Sequence, residues 1–111
     1  MTKIPMSLAA AGLLRALLER ARNDHRDRIL LTEFESIEWQ SLTFIGERHR
    51  MQFRIIGLEP DEVVRTLTDG LEDEEFSIPG NIVADIALAS EPQCNSDGSV
   101  SVVLEALTIS E

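Results

Sequence analysis

The sequence has one cysteine, no tyrosine, six glycines and four prolines among its 111 residues. A single thiol, Cys94, cannot form an internal disulfide, which is typical of proteins in a reducing compartment, so we expect a cytoplasmic location. No apolar run approaches the ~18 residues of a membrane span, so we expect no membrane insertion. The N-terminal segment imitates a signal peptide, but Arg15 interrupts it early and the apolar spacing continues beyond, which favours a mature helix.

The sequence motifs of common catalytic and metal sites are also missing. There is no GxSxG, no glycine-rich phosphate loop and no GxGxxG. The only histidines are His25 and His49, and no CxxC, HxxxH or HExxH spacing provides ligands for structural zinc. The four acids of residues 72–75 lack the alternation and internal glycine of a calcium loop. We therefore expect no metal and no cofactor, and we favour a non-enzymatic role.

Basic residues are scarce in the second half of the chain. The formal net charge is −10, and Arg65 is the one basic residue of residues 58–111, against thirteen acids. Such a half repels phosphate backbones, which argues against nucleic-acid binding. The simplest explanation is that the acids keep the protein soluble. Two alternatives remain, a basic protein partner and an acidic mimic of nucleic acid.

Hydrophobic spacing predicts two helices. The first covers about residues 5–22, where apolar side chains recur every three or four positions, and Asn23 is a candidate cap. The second starts at Pro60, with Glu59 as an imperfect N-cap, and ends at Gly70. Its expected buried side chains are Val63, Val64, Leu67 and Leu71.

Two hairpins are predicted from alternating and β-branched residues. The first covers residues 39–56, with a type II′ turn at Gly46 and Glu47 that sets Trp39 opposite Arg54. A four-residue loop at residues 46–49 is an alternative that keeps the same faces. The second hairpin joins residues 81–91 to residues 99–109 through residues 92–98, and it follows a type II turn at Pro79 and Gly80.

Residues 28–37 form a further predicted strand, with Leu30, Thr32 and Phe34 in one phase. A turn at residues 36–38, a bulge, or one long bent strand over residues 28–45 are all compatible with the pattern, and usual strand lengths favour the turn or the bulge. The prediction is one α+β domain over residues 1–111, in the order α-β-β-β-α-β-β. Two helices cover one face of an antiparallel sheet of about five strands.

Surplus apolar residues on the strands predict a homodimer. Both faces of the second hairpin are apolar, so both are expected to be covered. Trp39, Ile45, Val103 and Leu107 have no assigned cover within the chain. Exposed apolar patches usually mark contacts, and a second copy of the chain is the simplest partner to propose.

The densest polar group of the sequence lies on the central hairpin. Arginine forks bind carboxylates or phosphates, Arg54 beside Trp39 would form a cation–π contact, and His49 is a candidate general base. The simpler interpretation pairs the arginines with glutamates of the neighbouring strand. The candidate ligand-binding residues are Trp39, Arg48, His49, Arg50 and Arg54.

Two functions from different classes follow from these residues. The first is a self-associating interaction or accessory module without enzymatic activity. The second is a small protein or enzyme that binds an anionic ligand on the Arg/His/Trp face of the hairpin.

Overall fold

The computed structural model describes residues 6–21 and 27–111. Within them a five-stranded antiparallel sheet has the order β1-β2-β5-β3, and β4 pairs with one end of β5. The α+β class, the two helices and the five strands are as predicted, but two strands precede the second helix and three follow it. The elements are α1 (Leu8–Arg20), β1 (Ile29–Gln40), β2 (Ile45–Ile55), α2 (Pro60–Thr68), β3 (Asn81–Leu88), β4 (Gln93–Cys94) and β5 (Val100–Ser110).

Both helices lie on one face of the sheet and close the hydrophobic core. The α1 stripe is confirmed at Leu13 and Leu17, which are buried against the same cluster as Phe53 of β2. Ser7 caps α1, because the Ala10 N–H donates to its Oγ at 3.1 Å. The predicted helix start at residue 5 and the cap at residue 23 lie outside the described residues. No helix among the described ranges is long and apolar enough to cross a membrane.

The second helix forms where its local signals predict it. Pro60 is the first helical residue, Glu59 precedes it with a left-handed backbone and no side-chain capping bond, and Gly70 follows the helix with a φ of 69°. The predicted buried residues are all buried. The C-terminal ends of the two helices are tied together by Arg20, whose Nε donates to Leu67 O at 3.0 Å.

The β1–β2 hairpin corrects the sequence prediction. β1 continues through residues 36–38, and the connecting loop is residues 41–44. Gly46 lies inside β2, so both predicted turns, at Gly46 and Glu47 and over residues 46–49, were wrong. Trp39 pairs with Gly46, whereas Arg54 pairs with Leu30 near the other end of the strand.

Gly46 is required by the neighbouring strand and not by a turn. A Cβ at this position would collide with the carbonyl oxygen of Thr108 on β5. Gly80 differs, because it has a φ of 74° in the predicted type II turn and open space around it. The close approach of β5 therefore selects glycine inside β2.

Two bulges change the phase of the outer strands. The register of β1 with β2 shifts between Leu31 and Glu33, so a bulge in one long strand is the alternative that the structure contains. The register of β3 with β5 shifts between Val83 and Asp85. As a result the predicted common phase of Ile82, Ala84, Ile86 and Leu88 was wrong, because Ile86 is buried and Ile82 faces the opposite side. The predicted phase of Leu30, Thr32 and Phe34 breaks at the first bulge for the same reason.

Candidate functional site

The sheet has an inward face under the helices and an outward face without a covering helix or strand among the described residues. Side chains alternate between the two faces along β2. Met51, Phe53 and Ile55 point inward and are buried. His49 shares this inward phase and is 2% exposed. The structure therefore separates His49 from the other predicted site residues, which occupy the outward face: Trp39, Arg48, Arg50 and Arg54.

An apolar patch lies at the hairpin end of the outward face. Adjacent positions on the four strands place Trp39 beside Gly46, Gly46 beside Ile109, and Ile109 beside Ile82. In the next row Ile37 and Leu107 flank Arg48. Ile37 is 57% exposed and Ile82 is 53% exposed. We define the apolar patch as Ile37, Trp39, Ile82, Leu107 and Ile109.

A row of charges borders the apolar patch. Arg50 lies between Glu35 of β1 and Glu105 of β5, and its Nη1 is 3.3 Å from Glu105 Oε1. Both side chains of this ion pair are more than half exposed, so solvent screens the attraction and the pair contributes about 0–1 kcal/mol. The row alternates in sign across the sheet.

Arg54 is engaged at the opposite end of the sheet. Its Nε donates to Ser99 Oγ at 3.1 Å, and its guanidinium pairs with Asp97 in the loop before β5. The predicted cation–π contact between Arg54 and Trp39 was therefore wrong. Arg48 is instead the arginine diagonal to Trp39, because it follows Gly46 by two positions on the same face.

His49 joins three strands through two hydroxyl groups. Its Nδ1 is 2.8 Å from Ser36 Oγ on β1, and its Nε2 is 2.8 Å from Thr108 Oγ1 on β5. Burial lowers the pKa of His49, and the negative charge of Glu47 partly opposes this effect. Glu47 itself accepts a hydrogen bond from Ser7 Oγ at 2.8 Å. A neutral ring bonded at both nitrogens favours a structural role over that of an accessible base.

The buried imidazole predicts a pH-dependent stability. Because the pKa of His49 is lower in the folded state than its ordinary value of 6.5, the unfolded chain binds the proton more readily. The contribution of the neutral ring should be complete above about pH 6.5 and should be lost as the pH falls through the folded-state pKa. Urea titrations between neutral and mildly acidic pH should therefore show a falling free energy of unfolding.

The control for this prediction is His49→Gln, because the glutamine amide can still donate and accept a hydrogen bond but does not titrate. His25 is present in both proteins, so its own titration cancels in the comparison. The variant should be less stable at neutral pH and should show a flatter pH dependence. If the free energy of unfolding depended on pH in the same way in both proteins, His49 would not be the group responsible.

A shallow depression of about 410 Å³ opens beside the apolar patch, at the end of the sheet. Its charged lining consists of two carboxylates, Glu38 and Glu47, and no arginine contributes to it. Trp39, Gly46 and Ile45 supply its apolar wall. A second depression of about 260 Å³ also has an acidic lining, from Glu72 and Asp73. Neither one offers the positive charge that an anionic ligand needs.

Of the predicted surplus apolar residues, Trp39, Val103 and Leu107 lie on the outward face, whereas Ile45 has the inward phase of His49. Ile37 and Ile82 on the outward face were not predicted. Alternation along β1 after Glu33 predicts that Ile37 faces outward. The bulge of β3 changes the phase of Ile82, so alternation along β3 does not predict its face. Within residues 6–21 and 27–111 no three His, Cys, Asp or Glu side chains are grouped to hold a metal ion. Comparison of the sequence with known protein families and with curated proteins gives no match.

Proposed function

We propose that the protein is a non-enzymatic interaction module that self-associates through the hairpin end of its sheet. The apolar patch supports this proposal, because two of its side chains are exposed and three are partly exposed on a face that the described helices leave open. Soluble monomers rarely expose contiguous apolar surface of more than a few hundred Å², and larger patches mark contacts. A second copy of the chain is present wherever the protein is made, so it is the partner that needs no further assumption.

The loop between β1 and β2 extends the apolar surface around the end of the sheet. Leu42 is fully exposed, and Phe44 and Ile45 are each more than half exposed. These residues lie directly beyond Trp39 and Gly46 in the hairpin. Burying such side chains gains about 25 cal/mol per Å² of apolar surface, which supplies a driving force for association.

The charges around the apolar patch suit a two-fold symmetric contact. Arg48 forms no ion pair with a described residue, and its row ends in Asp85 of β3. A two-fold axis brings the same surface of both copies together, so a stable contact places the carboxylates of one copy opposite uncharged or positive groups of the other. A basic protein is the further partner that we propose from the net charge of −10.

The alternative, a site for a small anionic ligand, has less support. The depression beside Trp39 has a carboxylate lining, and Arg54 is already paired with Asp97. Arg48 and Arg50 stand on an open sheet face, where solvent screens their charge. We therefore rank self-association first.

The substitution Ile37→Lys tests the proposal. The wild-type protein should scatter light as a dimer at both low and high salt, because an apolar contact is not screened. Ile37→Lys should be a monomer, since lysine on an exposed strand blocks association and is tolerated by the fold. The matched control is Leu58→Lys, which replaces an 87% exposed leucine away from the hairpin end and should leave the dimer intact. A wild-type protein that stays monomeric at its highest soluble concentration would overturn the proposal.

A further inference from the structure

β1 has a free edge that is unusually long and regular. It is an outer strand that pairs with β2 and with no other described strand. After the bulge, residues 33–40 keep an unbroken register with β2. In an antiparallel ladder, alternate residues turn their N–H and C=O groups to opposite sides. The edge over residues 33–40 therefore offers a regular row of backbone donors and acceptors to an incoming strand.

The usual protections of such an edge are weak in β1. Natural edge strands avoid pairing by being short, by proline or lysine, or by a bulge that twists them away. β1 contains no proline and no lysine, and its bulge lies close to its beginning. Its remaining protection is charge, from Glu33, Glu35 and Glu38. These three carboxylates decide which strand can pair and in which register.

Most registers between two copies of β1 bring acids together. A two-fold axis at Glu35 or at Glu38 sets that residue against its own copy, and an axis at Phe34 sets Glu33 against Glu35. Like charges directly opposite each other destabilise a strand pair. Axes between residues would pair inward with outward side chains. An axis at Trp39 or Gln40 lies at the end of β1 and would pair only its last few residues. Ser36 and Ile37 are the positions that remain.

The two remaining axes differ in what they place together. An axis at Ser36 sets the charge of Glu38 against Phe34, which packs on the hydrophobic core. An axis at Ile37 sets Ile37 against its own copy and Glu38 against Ser36. It also sets Glu35 against Trp39, which is partly exposed on the outward face, so no carboxylate is directed onto the hydrophobic core. We propose that β1 pairs antiparallel with β1 of a second copy, with the two-fold axis at Ile37. This inference rests on the proposed self-association and names its geometry.

The local hydrogen bonding makes Ile37 the position of closest approach. The Ser41 N–H donates to Phe44 O at 2.9 Å, so by alternation the odd-numbered residues of β1 bond to β2 and the even-numbered residues face the free edge. The facing Ile37 residues then form a non-hydrogen-bonded pair, where Cα atoms lie about 4.5 Å apart. Such a dimer is one continuous sheet with all helices on one side. On the other side Ile37 packs against its own copy with Trp39 diagonal to it, so the β1 part of each apolar patch forms the apolar contact. The patch residues of β3 and β5 lie away from this contact.

Disulfide trapping tests this geometry. Ile37→Cys is made in a Cys94→Ser background, which removes the native exposed thiol. The expected pair distance falls within the range of Cα separations that a disulfide spans, about 4.4–6.8 Å. Mild oxidation should convert the folded variant into a covalent dimer on a non-reducing gel. The control is Leu107→Cys in the same background, which lies in the same patch but on the central strand β5 and should stay monomeric on the gel.

The outcomes separate the two proposals. A covalent dimer from Ile37→Cys, with none from Leu107→Cys, supports pairing of the β1 edges. Edge pairing at Ile37 is overturned if the protein is a dimer by light scattering but the covalent dimer forms with Leu107→Cys, with both variants equally or with neither. Self-association itself is not contradicted by these outcomes. A wild-type monomer by light scattering overturns both. Circular dichroism of each variant verifies that it is folded.

Discussion

Phe53→Ala should lower the free energy of unfolding by about 3–5 kcal/mol. Phe53 lies in the middle of β2 between Leu31 of β1 and Val102 of β5, and none of it is exposed to solvent. Removing its ring leaves a cavity that the close-packed interior refills only in part. Since small domains are stable by about 5–15 kcal/mol, this change is a large fraction of the total. The urea midpoint, followed by circular dichroism, measures it.

Phe44→Ala is the matched control for this prediction. Phe44 is 52% exposed in the loop between β1 and β2, so the same substitution removes few packing contacts. Its effect should stay within about 0.5 kcal/mol, as is usual for surface positions. Both variants are compared at low protein concentration, so that association through the hairpin end does not contribute. Equal effects at the two positions would contradict the assignment of the inward face.

Gly46→Ala should cost about 3 kcal/mol or more, at the upper end of the range for overpacking. The added methyl group would collide with the Thr108 carbonyl oxygen, which belongs to the backbone of the adjacent strand and cannot rotate away. Relief therefore requires β2 and β5 to move apart at the pair of Gly46 and Ile109. We expect a lower urea midpoint together with a change in the fluorescence of Trp39, which is the neighbour of Gly46 on β1.

Gly12→Ala provides the comparison for this second prediction. Its Cβ would lie 2.8 Å from the Cγ2 methyl of Ile78, which is a side chain and not the backbone. Alanine is also favoured over glycine in a helix by up to about 1 kcal/mol, which offsets part of the crowding. The two substitutions add the same methyl group, yet Gly46→Ala should be the more destabilising by a wide margin. A reversed order would show that β5 does not approach Gly46 as closely as the structure places it.

The elements that the sequence predicts well are those whose signals lie within the element itself. The second helix has Pro60 at its start, acids in its first turn and Gly70 beyond its end, and all of these act within a few residues. The type II turn at Pro79 and Gly80 is equally local. The Asn81 N–H donates to Ile78 O at 3.1 Å, as this turn requires.

The hairpin register was wrong because its cause is not local. Glycine in an alternating segment is typical of a turn. Gly46 is instead required by the carbonyl oxygen of Thr108, which is more than half the chain away in sequence. The loop over residues 41–44 contains no glycine, proline or asparagine. It is held by Ser41, whose Oγ accepts the Phe44 N–H at 3.1 Å. A serine alone gives little indication of a turn.

Strand alternation predicts which face of the sheet each candidate site residue occupies, but not which residues of other strands it contacts. Alternation along β2 places Arg48, Arg50 and Arg54 on one face and His49 on the other. The two hydroxyl partners of His49 come from β1 and β5, and no pattern in the sequence predicts that these three residues are in contact. The apolar patch likewise depends on strand order, because Ile82 and Ile109 adjoin Trp39 only after β5 enters the sheet between β2 and β3.

The central position of β5 has a consequence for the order in which the protein folds. β5 is the shared neighbour of β2, β3 and β4, yet it is the last of the strands to be synthesised. Until it arrives, β1 and β2 can pair only with each other, and two-stranded hairpins are at best marginally stable in water. Because contacts between strands distant in sequence slow folding, pairing of β2 with β5 should set the folding rate. During synthesis the early hairpin would remain open to chaperones, and to other nascent copies of itself, until β5 emerges.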